Sequence, residues 1–381
     1  MLAPLLFLLL SAPPGSPHLT GARSEGHIAD SLYRPPPGFY AAPSCDVSPG
    51  NKTVNRFQLY PENAEFDPKR CLVYFSVLWN ASVAVWDPVK NEVVGSITDD
   101  RFSGRPELHA SGVQLDAPRD QLSIMFNAGN AFNTLGRNIA GENNLVRYDL
   151  KTKRVLWAID LSRVTSGAYG GFQDIEHDGY GNTFVCGTFP PSLMHVNITT
   201  QAATPWWLGP SDSQVVGING IAMYQNRKLL GAYQTGVDGS QLVWFDIHTP
   251  GSPNAIPVKQ GGRVSNVGES LDAAVLPAMY GGKILLVSDA FVGTVILHSN
   301  DHWATAEKLG AVPNGMAAEG IRVVTAVQVG QRILCVFEFF GDANVKVPGQ
   351  PAGAGNRSEF PLQDITDDID RLLPSDLRGR Q

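Results

Sequence analysis

Strand pairs recur along this chain at a spacing of about fifty residues, and that repeat limits the possible folds more than any other feature. Each copy has an apolar strand, a turn and a second strand that ends in a polar residue. The spacing is typical of a four-stranded propeller blade and does not match a solenoid turn or a sandwich strand. The second strands end at Asp87, Asp149, Asn197, Asp246 and Ser299, which lie 62, 48, 49 and 53 residues apart.

A weaker strand that ends in a turn precedes each strong pair, and a sixth half-copy starts at Arg332. Six such units predict an all-β fold, a six-bladed β-propeller, in which the weaker strands are innermost. A segment near residues 53–60 would complete the sixth blade and remove free sheet edges. The predicted organisation is a signal peptide over 1–22, an N-terminal arm over 23–52, the propeller over 53–342 and a short C-terminal tail over 343–381, with one surface helix in the tail.

The composition agrees with this architecture. The chain contains 39 Gly and 27 Pro, which interrupt it too often for long helices. Only 17% of its residues are charged, so it builds a core and is not a disordered chain. The net charge of -7 provides no basic stripe for phosphates, which excludes nucleic acid as a partner.

The N-terminus predicts export. An apolar run from Leu2 to Leu10 is too short to span a bilayer and fits the core of a secretory signal, although no Lys or Arg precedes it. We therefore expect a glycoprotein of the secretory pathway, either secreted or held in the endomembrane lumen, with no integral membrane segment. Four glycosylation sequons support this expectation, at Asn51, Asn80, Asn197 and Asn356.

The four cysteines form no CxxC or Cys/His pattern, so they do not predict a zinc site. In an oxidising compartment a disulfide between Cys45 and Cys71 would tie the N-terminal arm to the first strong strand. Cys186 and Cys335 lie in apolar strand runs, where buried free thiols are expected.

Propeller geometry places the loops before the inner strands and the loops after the second strands on one face. An aromatic residue recurs after every second strand, so we expect a polar floor ringed by apolar walls that binds a hydrophobic small molecule. The aromatic residues alternatively pack between blades, and the polar residues alternatively cap turns or satisfy the backbone. The polar candidates are Glu62, Asn63, His109, Gln173, Asp174, Asn219, Ser270, Asp272, Asn314 and Glu319, and the aromatic candidates are Trp79, Phe132, Phe189, Tyr233, Phe291 and Phe340.

Three segments carry a family resemblance: YPENAEFDPKRCLVYFSVLWNASVAVWDP from Tyr60, INGIAM from Ile218 and LLVSDAFVGTVILHS from Leu285. They resemble the secreted fungal propellers encoded in trichothecene and related sesquiterpenoid gene clusters, and a yeast skin-allergen propeller is similar in type. Relatives in tropolone-sesquiterpenoid clusters are hetero-Diels-Alderases, which join a quinone methide to a humulene-type terpene without a cofactor. The resemblance implies a role in fungal secondary metabolism.

The same segments are more distantly similar to calcium-dependent lactonases of the gluconolactonase and strictosidine-synthase type. That likeness implies a metal held by Glu62, Asn219 and Asp272 if calcium is bound. The remaining position reads Gln173-Asp174, where an Asn is expected. Oxygen ligands of this kind suit Ca²⁺.

These features favour a cofactor-free cyclase, most specifically a hetero-Diels-Alderase of a sesquiterpenoid or related mycotoxin pathway. No nucleophile motif occurs in the sequence, and a cycloaddition needs none. The catalytic candidates are His109, Asp174 and Asn219, whereas Gln173, Asn314 and the aromatic residues would bind substrate. A calcium-dependent lactonase or esterase-like hydrolase and a non-catalytic carrier of lipids or metabolites remain alternatives. We expect a monomer or a homodimer.

Overall fold

The computed structural model describes residues 45–236, 239–349 and 353–378. These residues form six sheets of mainly antiparallel strands, arranged as the blades of a propeller, which confirms the predicted fold class. The innermost strand of each sheet packs against the innermost strand of the next, and the sixth packs against the first. The ring of blades is therefore closed.

The first strand, β1 (Lys52–Asn55), belongs to the sixth blade, and blades one to three follow it in the chain. Their strands are β2 (Pro61–Asp67), β3 (Leu72–Val77), β4 (Ser82–Asp87) and β5 (Glu92–Ile97), then β6 (Leu108–Asp116), β7 (Gln121–Ala128), β8 (Asn144–Asp149) and β9 (Arg154–Asp160), then β10 (Gly170–His177), β11 (Thr183–Phe189), β12 (Ser192–Val196) and β13 (Ala203–Leu208). A short helix, α1 (Asn130–Asn133), follows β7.

Blades four to six complete the ring, and the fifth has two additional outer strands. Their strands are β14 (Ile218–Tyr224), β15 (Lys228–Gly236), β16 (Gly239–Asp246) and β17 (Asn254–Ile256), then β18 (Val258–Gln260), β19 (Arg263–Val264), β20 (Leu271–Val275), β21 (Ile284–Asp289), β22 (Gly293–His298) and β23 (Ala306–Pro313), then β24 (Arg322–Val329), β25 (Arg332–Glu338) and β26 (Glu359–Asp364). A second helix, α2 (Thr366–Leu372), follows β26.

The sixth blade joins the two ends of the described chain. Its strand order is β1-β26-β25-β24, so the N-terminal segment enters this blade as expected. Residues 359–364, however, form its third strand and are not part of a separate surface tail. The sequence from Phe360 to Pro374 reads as one amphipathic helix, but Phe360 and Leu362 alternate inward as strand residues, and only Thr366–Leu372 is helical.

A bulge interrupts every innermost strand in its N-terminal half, and we call the end where each of these strands begins its upper end. The pairing with the second strand shifts register at this point in all six blades, so extra residues are left outside the ladder. A bulge re-aims the side chains that it contains, and bulges are common beside active sites. The bulged residues are Glu62–Asn63, Ser111–Gly112, Gln173–Asp174, Asn219, Asp272–Ala273 and Val324.

Glycine allows two pairs of inner strands to approach closely at the bulges. A β-carbon at Gly112 would overlap the carbonyl oxygen of Gln173, and one at Gly220 would overlap the backbone of Asp272–Ala274. These positions have no room for a side chain, so the inner strands of neighbouring blades meet through their backbones.

Large apolar side chains fill the spaces between blades. Phe75, Trp86 and Phe360 are fully buried in the cluster that joins the first and sixth blades. Their burial supplies the apolar contact that holds the ring closed. Among the described residues no helix combines the length and apolarity needed to cross a bilayer.

The predicted disulfide is present between Cys45 and Cys71, and it ties the segment before β1 to the turn between β2 and β3. Cys186 and Cys335 are buried free thiols, as expected. The predicted signal peptide and most of the predicted arm lie outside the described residues.

Candidate functional site

A cavity of about 550 Å³ lies at the propeller axis, above the upper ends of the inner strands. Side chains from the bulges form its polar floor, and residues from the loops after the second strands form most of its apolar wall. The floor contains Glu62, Ser111, Gln173, Asn219 and Asp272, and the wall includes Leu78, Trp79, Phe132, Phe189, Val216 and Phe340. A cavity of this kind suits an apolar molecule with a few oxygen atoms.

The floor is a ring in which five blades each contribute one polar side chain. The sixth blade places buried Val324 at the equivalent bulge. In the second blade the equivalent residue is Ser111, not the predicted His109, which lies two residues earlier and still lines the cavity. The bulge therefore determines which residue of each inner strand faces the axis.

Hydrogen bonds within the floor centre on Gln173. Its Nε2 donates to Asp272 Oδ1 at 2.7 Å and lies 3.5 Å from Glu62 Oε1. The Thr188 hydroxyl lies 3.1 Å from Gln173 Oε1 and 3.0 Å from Asn219 Oδ1, so it can donate to either amide oxygen. The Asn219 amide nitrogen donates to the backbone carbonyl oxygen of Leu271 at 2.6 Å. The floor is thus held by bonds between side chains of different blades.

Both carboxyl groups of the floor favour their neutral form. Burial, followed by the charge of Glu338, raises the pKa of Glu62 well above its usual range. Burial, followed by the charges of Glu62 and Asp174, raises the pKa of Asp272 in the same way. A protonated carboxyl group at this place is a hydrogen-bond donor to a ligand oxygen.

These residues do not fit the calcium site that the lactonase likeness implies. The amide nitrogen of Gln173 faces Asp272 and Glu62, where a calcium site requires oxygen ligands. Thr188 engages the amide oxygens of Gln173 and Asn219. Within the described residues, no three Asp, Glu, His or Cys side chains group closely enough to hold a metal ion.

His109 lines the cavity and is only 6% exposed. Burial, followed by the charge of Lys346, lowers the pKa of its imidazole to about 4. The ring is therefore neutral near pH 7, with one nitrogen that donates and one that accepts. In the antiparallel pairing, His109 lies directly opposite Asn127 of β7.

Four of the predicted polar residues lie outside the cavity lining: Asn63, Asp174, Asn314 and Glu319. Asp174 faces away, and its carboxylate accepts hydrogen bonds from Asn63 Nδ2 at 3.2 Å and from the backbone N–H groups of Ile175 and Ile221, both at 3.0 Å. It joins three blades, which is a structural position. Asn314 closes the loop before β24, because its Nδ2 donates to a backbone carbonyl and its Oδ1 accepts from a backbone N–H.

The recurrent aromatic residues divide into two groups. Trp79, Phe132, Phe189 and Phe340 line the cavity, and the rings of Phe132 and Phe189 lie 5.5 Å apart at 71°. The other two, Tyr233 and Phe291, are absent from the lining.

Each of those two residues has a different neighbour. Tyr233 packs edge-on against Trp207 in the cluster between blades three and four. Phe291 is 53% exposed, with the Arg322 guanidinium 4.5 Å above its ring. Both alternatives for the aromatic repeat, cavity wall and packing elsewhere, therefore occur in this molecule.

The sequence interpretation missed five polar residues of the cavity, Ser111, Asn127, Asn133, Thr188 and Gln234. Ser111 precedes a glycine, Gly112, and this pair marks the bulge of its strand. Thr188 directly precedes Phe189. Aligning the repeats on the residue before each aromatic would have found Thr188, whereas the bulge that positions Ser111 is evident only from the strand register.

The predicted glycosylation sites lie at different degrees of exposure. Asn51 and Asn356 are exposed, whereas Asn80 and Asn197 are partly buried. The Asn80 amide donates to the hydroxyl of Ser82 at 3.1 Å, and the Asn197 oxygen accepts from the backbone N–H groups of the following turn. Glycosylation of these residues stays a prediction.

Comparison with known proteins identifies relatives over most of the chain. Trichothecene biosynthesis protein 14 of Trichoderma arundinaceum is 32% identical over 352 residues, which cover 87% of this chain and 92% of the relative. The core trichothecene cluster protein 14 of Fusarium sporotrichioides is 29% identical over 377 residues, which cover 93% of this chain and 95% of the relative.

A solved structure agrees with the fold. The crystal structure of the major Malassezia sympodialis allergen Mala s 1 matches with a TM-score of 0.69 at 20% identity, over 83% of this chain and 96% of the allergen. The family model described as Mal s 1 allergenic protein-like matches residues 40–312. The chain therefore belongs to the Mal s 1 allergenic protein-like family.

Proposed function

We propose that this protein acts in fungal secondary metabolism, where its axial cavity binds a hydrophobic terpenoid-type molecule and promotes a ring closure without a cofactor. The observation that carries this proposal is the contrast between an aromatic wall and a hydrogen-bonding floor in one cavity of about 550 Å³. Such a cavity orients an apolar skeleton by shape and its few oxygen atoms by hydrogen bonds.

The two relatives support the pathway part of the proposal. One is named for trichothecene biosynthesis and the other for the core trichothecene cluster, and both align along most of the chain. Trichothecene-type sesquiterpenoids and their precursors are therefore the first molecules to test. In its most specific form, the proposed reaction is an intermolecular hetero-Diels-Alder cycloaddition of a tropolone sesquiterpenoid or related mycotoxin pathway.

Positioning would supply most of the rate acceleration. Holding reacting atoms in a near-attack geometry is worth up to roughly 7–11 kcal/mol of an activation barrier. The wall residues Trp79, Phe132 and Phe189 would hold the hydrocarbon part in one orientation. No covalent intermediate is required, and within the described part of the chain no hydroxyl of the cavity bonds to His109 as an activated nucleophile would.

The floor would act on the oxygen atoms of the substrate. Glu62 and Asp272, in their neutral form, would donate hydrogen bonds to a carbonyl whose negative charge grows in the transition state. Gln173 holds Asp272 in place through its 2.7 Å hydrogen bond. His109, which is neutral, would accept from or donate to a substrate hydroxyl.

The test uses purified full-length protein with candidate sesquiterpenoid precursors and measures product formation and stereochemistry by chromatography and mass spectrometry. Phe132→Ala should lower kcat/KM by roughly 10-fold or more, because a large apolar contact in the wall is lost. Phe291→Ala is the matched control. Phe291 occupies the equivalent repeat position but is exposed outside the cavity, so its removal should leave kcat/KM within about twofold.

Each alternative function gives a different result in this experiment. Binding of the precursors with no acceleration by wild-type protein would identify a carrier and refute the cyclase. Loss of activity in excess chelator, with recovery on addition of Ca²⁺, would identify a metal-dependent hydrolase or cyclase and refute the cofactor-free proposal. The expected result is full activity of the wild-type protein in chelator, a loss of activity in Phe132→Ala and no such loss in Phe291→Ala.

A further inference from the structure

One corner of the cavity is formed by the second blade, and it contains an acceptor that the protein itself leaves unpaired. Asn127 of β7 is fully buried and lines the cavity. Its Nδ2 donates to the carbonyl oxygen of Phe172 at 2.8 Å and to the hydroxyl oxygen of Ser111 at 2.9 Å. Because a carbonyl oxygen only accepts hydrogen bonds, the contact with Phe172 fixes which end of the amide is the nitrogen.

The amide oxygen of Asn127 has no partner in the described structure. Both hydrogens of the amide are used, and Oδ1 is buried without a donor. A buried acceptor without a donor is rare and destabilising by roughly 1–3 kcal/mol, so its retention calls for an explanation. Because the residue lines the cavity, a ligand that carries a donor would satisfy it.

His109 completes the corner from the neighbouring strand. It is the cross-strand partner of Asn127, and such partners have their β-carbons about 4.5–5.5 Å apart. Its ring nitrogens have no hydrogen-bond partner among the described residues. The ring also lies against Gly129, where a β-carbon would overlap it, so glycine at that position makes room for the imidazole.

We propose that His109 and Asn127 together form a subsite for an alcohol, in which the ligand hydroxyl donates to Asn127 Oδ1 and accepts from an imidazole N–H. This inference rests on the proposed function, because it assumes that a terpenoid-type molecule enters the cavity, and it adds that the molecule is hydroxylated. A ketone or an ether can accept from the imidazole but has no hydrogen to offer Asn127. The subsite therefore selects an alcohol over an ether or a ketone of similar shape.

The neutral state of the imidazole fits this arrangement. A neutral ring has one N–H to donate and no charge that would attract a carboxylate instead of an alcohol. Ser111 adds no selectivity, because its hydroxyl already accepts from Asn127 and lies 3.3 Å from the Phe172 carbonyl oxygen and 3.4 Å from that of Gln173. The two free positions in the corner are thus the amide oxygen and the imidazole.

The test compares the binding of two probes, farnesol and its methyl ether, measured by quenching of tryptophan fluorescence. Both probes are apolar and accept hydrogen bonds, but only farnesol donates one. Wild-type protein should bind farnesol roughly tenfold more tightly, since one hydrogen bond to a buried unpaired acceptor is gained. Asn127→Leu should abolish this preference. His109→Phe should weaken the binding of both probes by roughly 3- to 10-fold, because both accept from the imidazole.

Asn143→Leu is the matched control, because Asn143 is also fully buried but does not line the cavity. It should leave the probe preference unchanged, and thermal unfolding reports whether each variant is folded. Equal binding of the two probes by wild-type protein would refute the subsite and leave the proposed function standing. Failure of wild-type protein to bind either probe would refute both. The wild-type comparison requires no variant, so an unfolded variant does not remove the test.

Discussion

Replacing Asp174 by asparagine should make the protein less stable in acid but more stable at alkaline pH, relative to wild type. Asp174 is 6% exposed and sits at the axis between blades one, three and four. Burial outweighs its three hydrogen bonds and raises its pKa from 3.8 to about 7. In the unfolded chain the carboxyl group returns to its ordinary pKa.

The magnitude follows from that difference. Each pKa unit is worth about 1.4 kcal/mol, so a difference of roughly three units is worth about 4 kcal/mol. Because the folded pKa is the higher one, the contribution of this group to stability is fully present below about pH 4. It is lost as the pH rises to about 7, and above that pH the folded state carries a buried charge.

Asparagine cannot ionise, so it removes this dependence at a fixed cost. The carboxylate accepts hydrogen bonds from three N–H groups, and the NH₂ group of asparagine would have to face at least one of them. This mismatch lowers the free energy of unfolding by roughly 1–3 kcal/mol at every pH. We expect Asp174→Asn to be less stable than wild type at about pH 4 by that amount. Near pH 8 it should be more stable than wild type by roughly 1–3 kcal/mol.

Urea unfolding at several pH values measures the difference between the two proteins, in which the contributions of carboxyl groups that do not interact with Asp174 cancel. Asp272, Glu65 and Glu176 have pKa values raised in part by the charge of Asp174, so the neutral variant relieves them as well, which adds to its advantage at alkaline pH.

Asp301→Asn is the control of opposite sign. Burial acts to raise the pKa of Asp301, but hydrogen bonds from Thr305, Ser299 and Ala304 outweigh it and lower this pKa to about 2. The Asp301→Asn variant should therefore lose stability at neutral pH and not in acid. A constant Asp174→Asn difference from pH 4 to pH 8 would refute the reasoning.

Three further predictions concern the fold. Cys71→Ser opens a disulfide between residues 26 apart, which should lower the free energy of unfolding by about 3–4 kcal/mol in urea, and an equal value after reduction of wild type would support that assignment. Gly220→Ala should cost roughly 1–3 kcal/mol, because its β-carbon meets the backbone of the fifth blade, whereas Gly251→Ala, in open space, should be within about 0.5 kcal/mol of wild type. Deletion of the chain from residue 353 onward removes β26 and should abolish cooperative thermal unfolding, and a cooperative transition in the truncated protein would contradict the role of this strand in closing the ring.

The sequence predicted the blades well because the repeat is carried by apolar strands, whose order along the chain becomes their order around the axis. It failed for β26, since EFPLQD is separated from β25 by a long Gly- and Pro-rich loop and runs directly into a helix. A strand of six residues is too short for its alternating pattern to stand out from that of the helix that follows. The sequence therefore did not separate Phe360 and Leu362 from the helical residues.

The site was predicted in outline for a related reason. The residues just before the inner strands share a face with those just after the second strands, so Glu62, Gln173, Asn219 and Asp272 were found. A one-residue shift turns a strand side chain to the other face, and the bulges that decide this shift leave no clear mark in a single sequence. This is why Asp174, adjacent to Gln173, was expected in the cavity and lies behind it.

Closure of the ring through β1 and β26 also has a consequence for the order of events during biosynthesis. The backbone N–H of Gly50 donates to Asp364 at 2.8 Å, across 314 residues of chain. At a translation rate of 5–20 residues per second, β1 would wait roughly 15–60 s for the strand that pairs with it. During that interval blades one to five can form in sequence, while β1 stays available to other strands. The sixth blade is therefore the part of the nascent protein that most needs protection by chaperones.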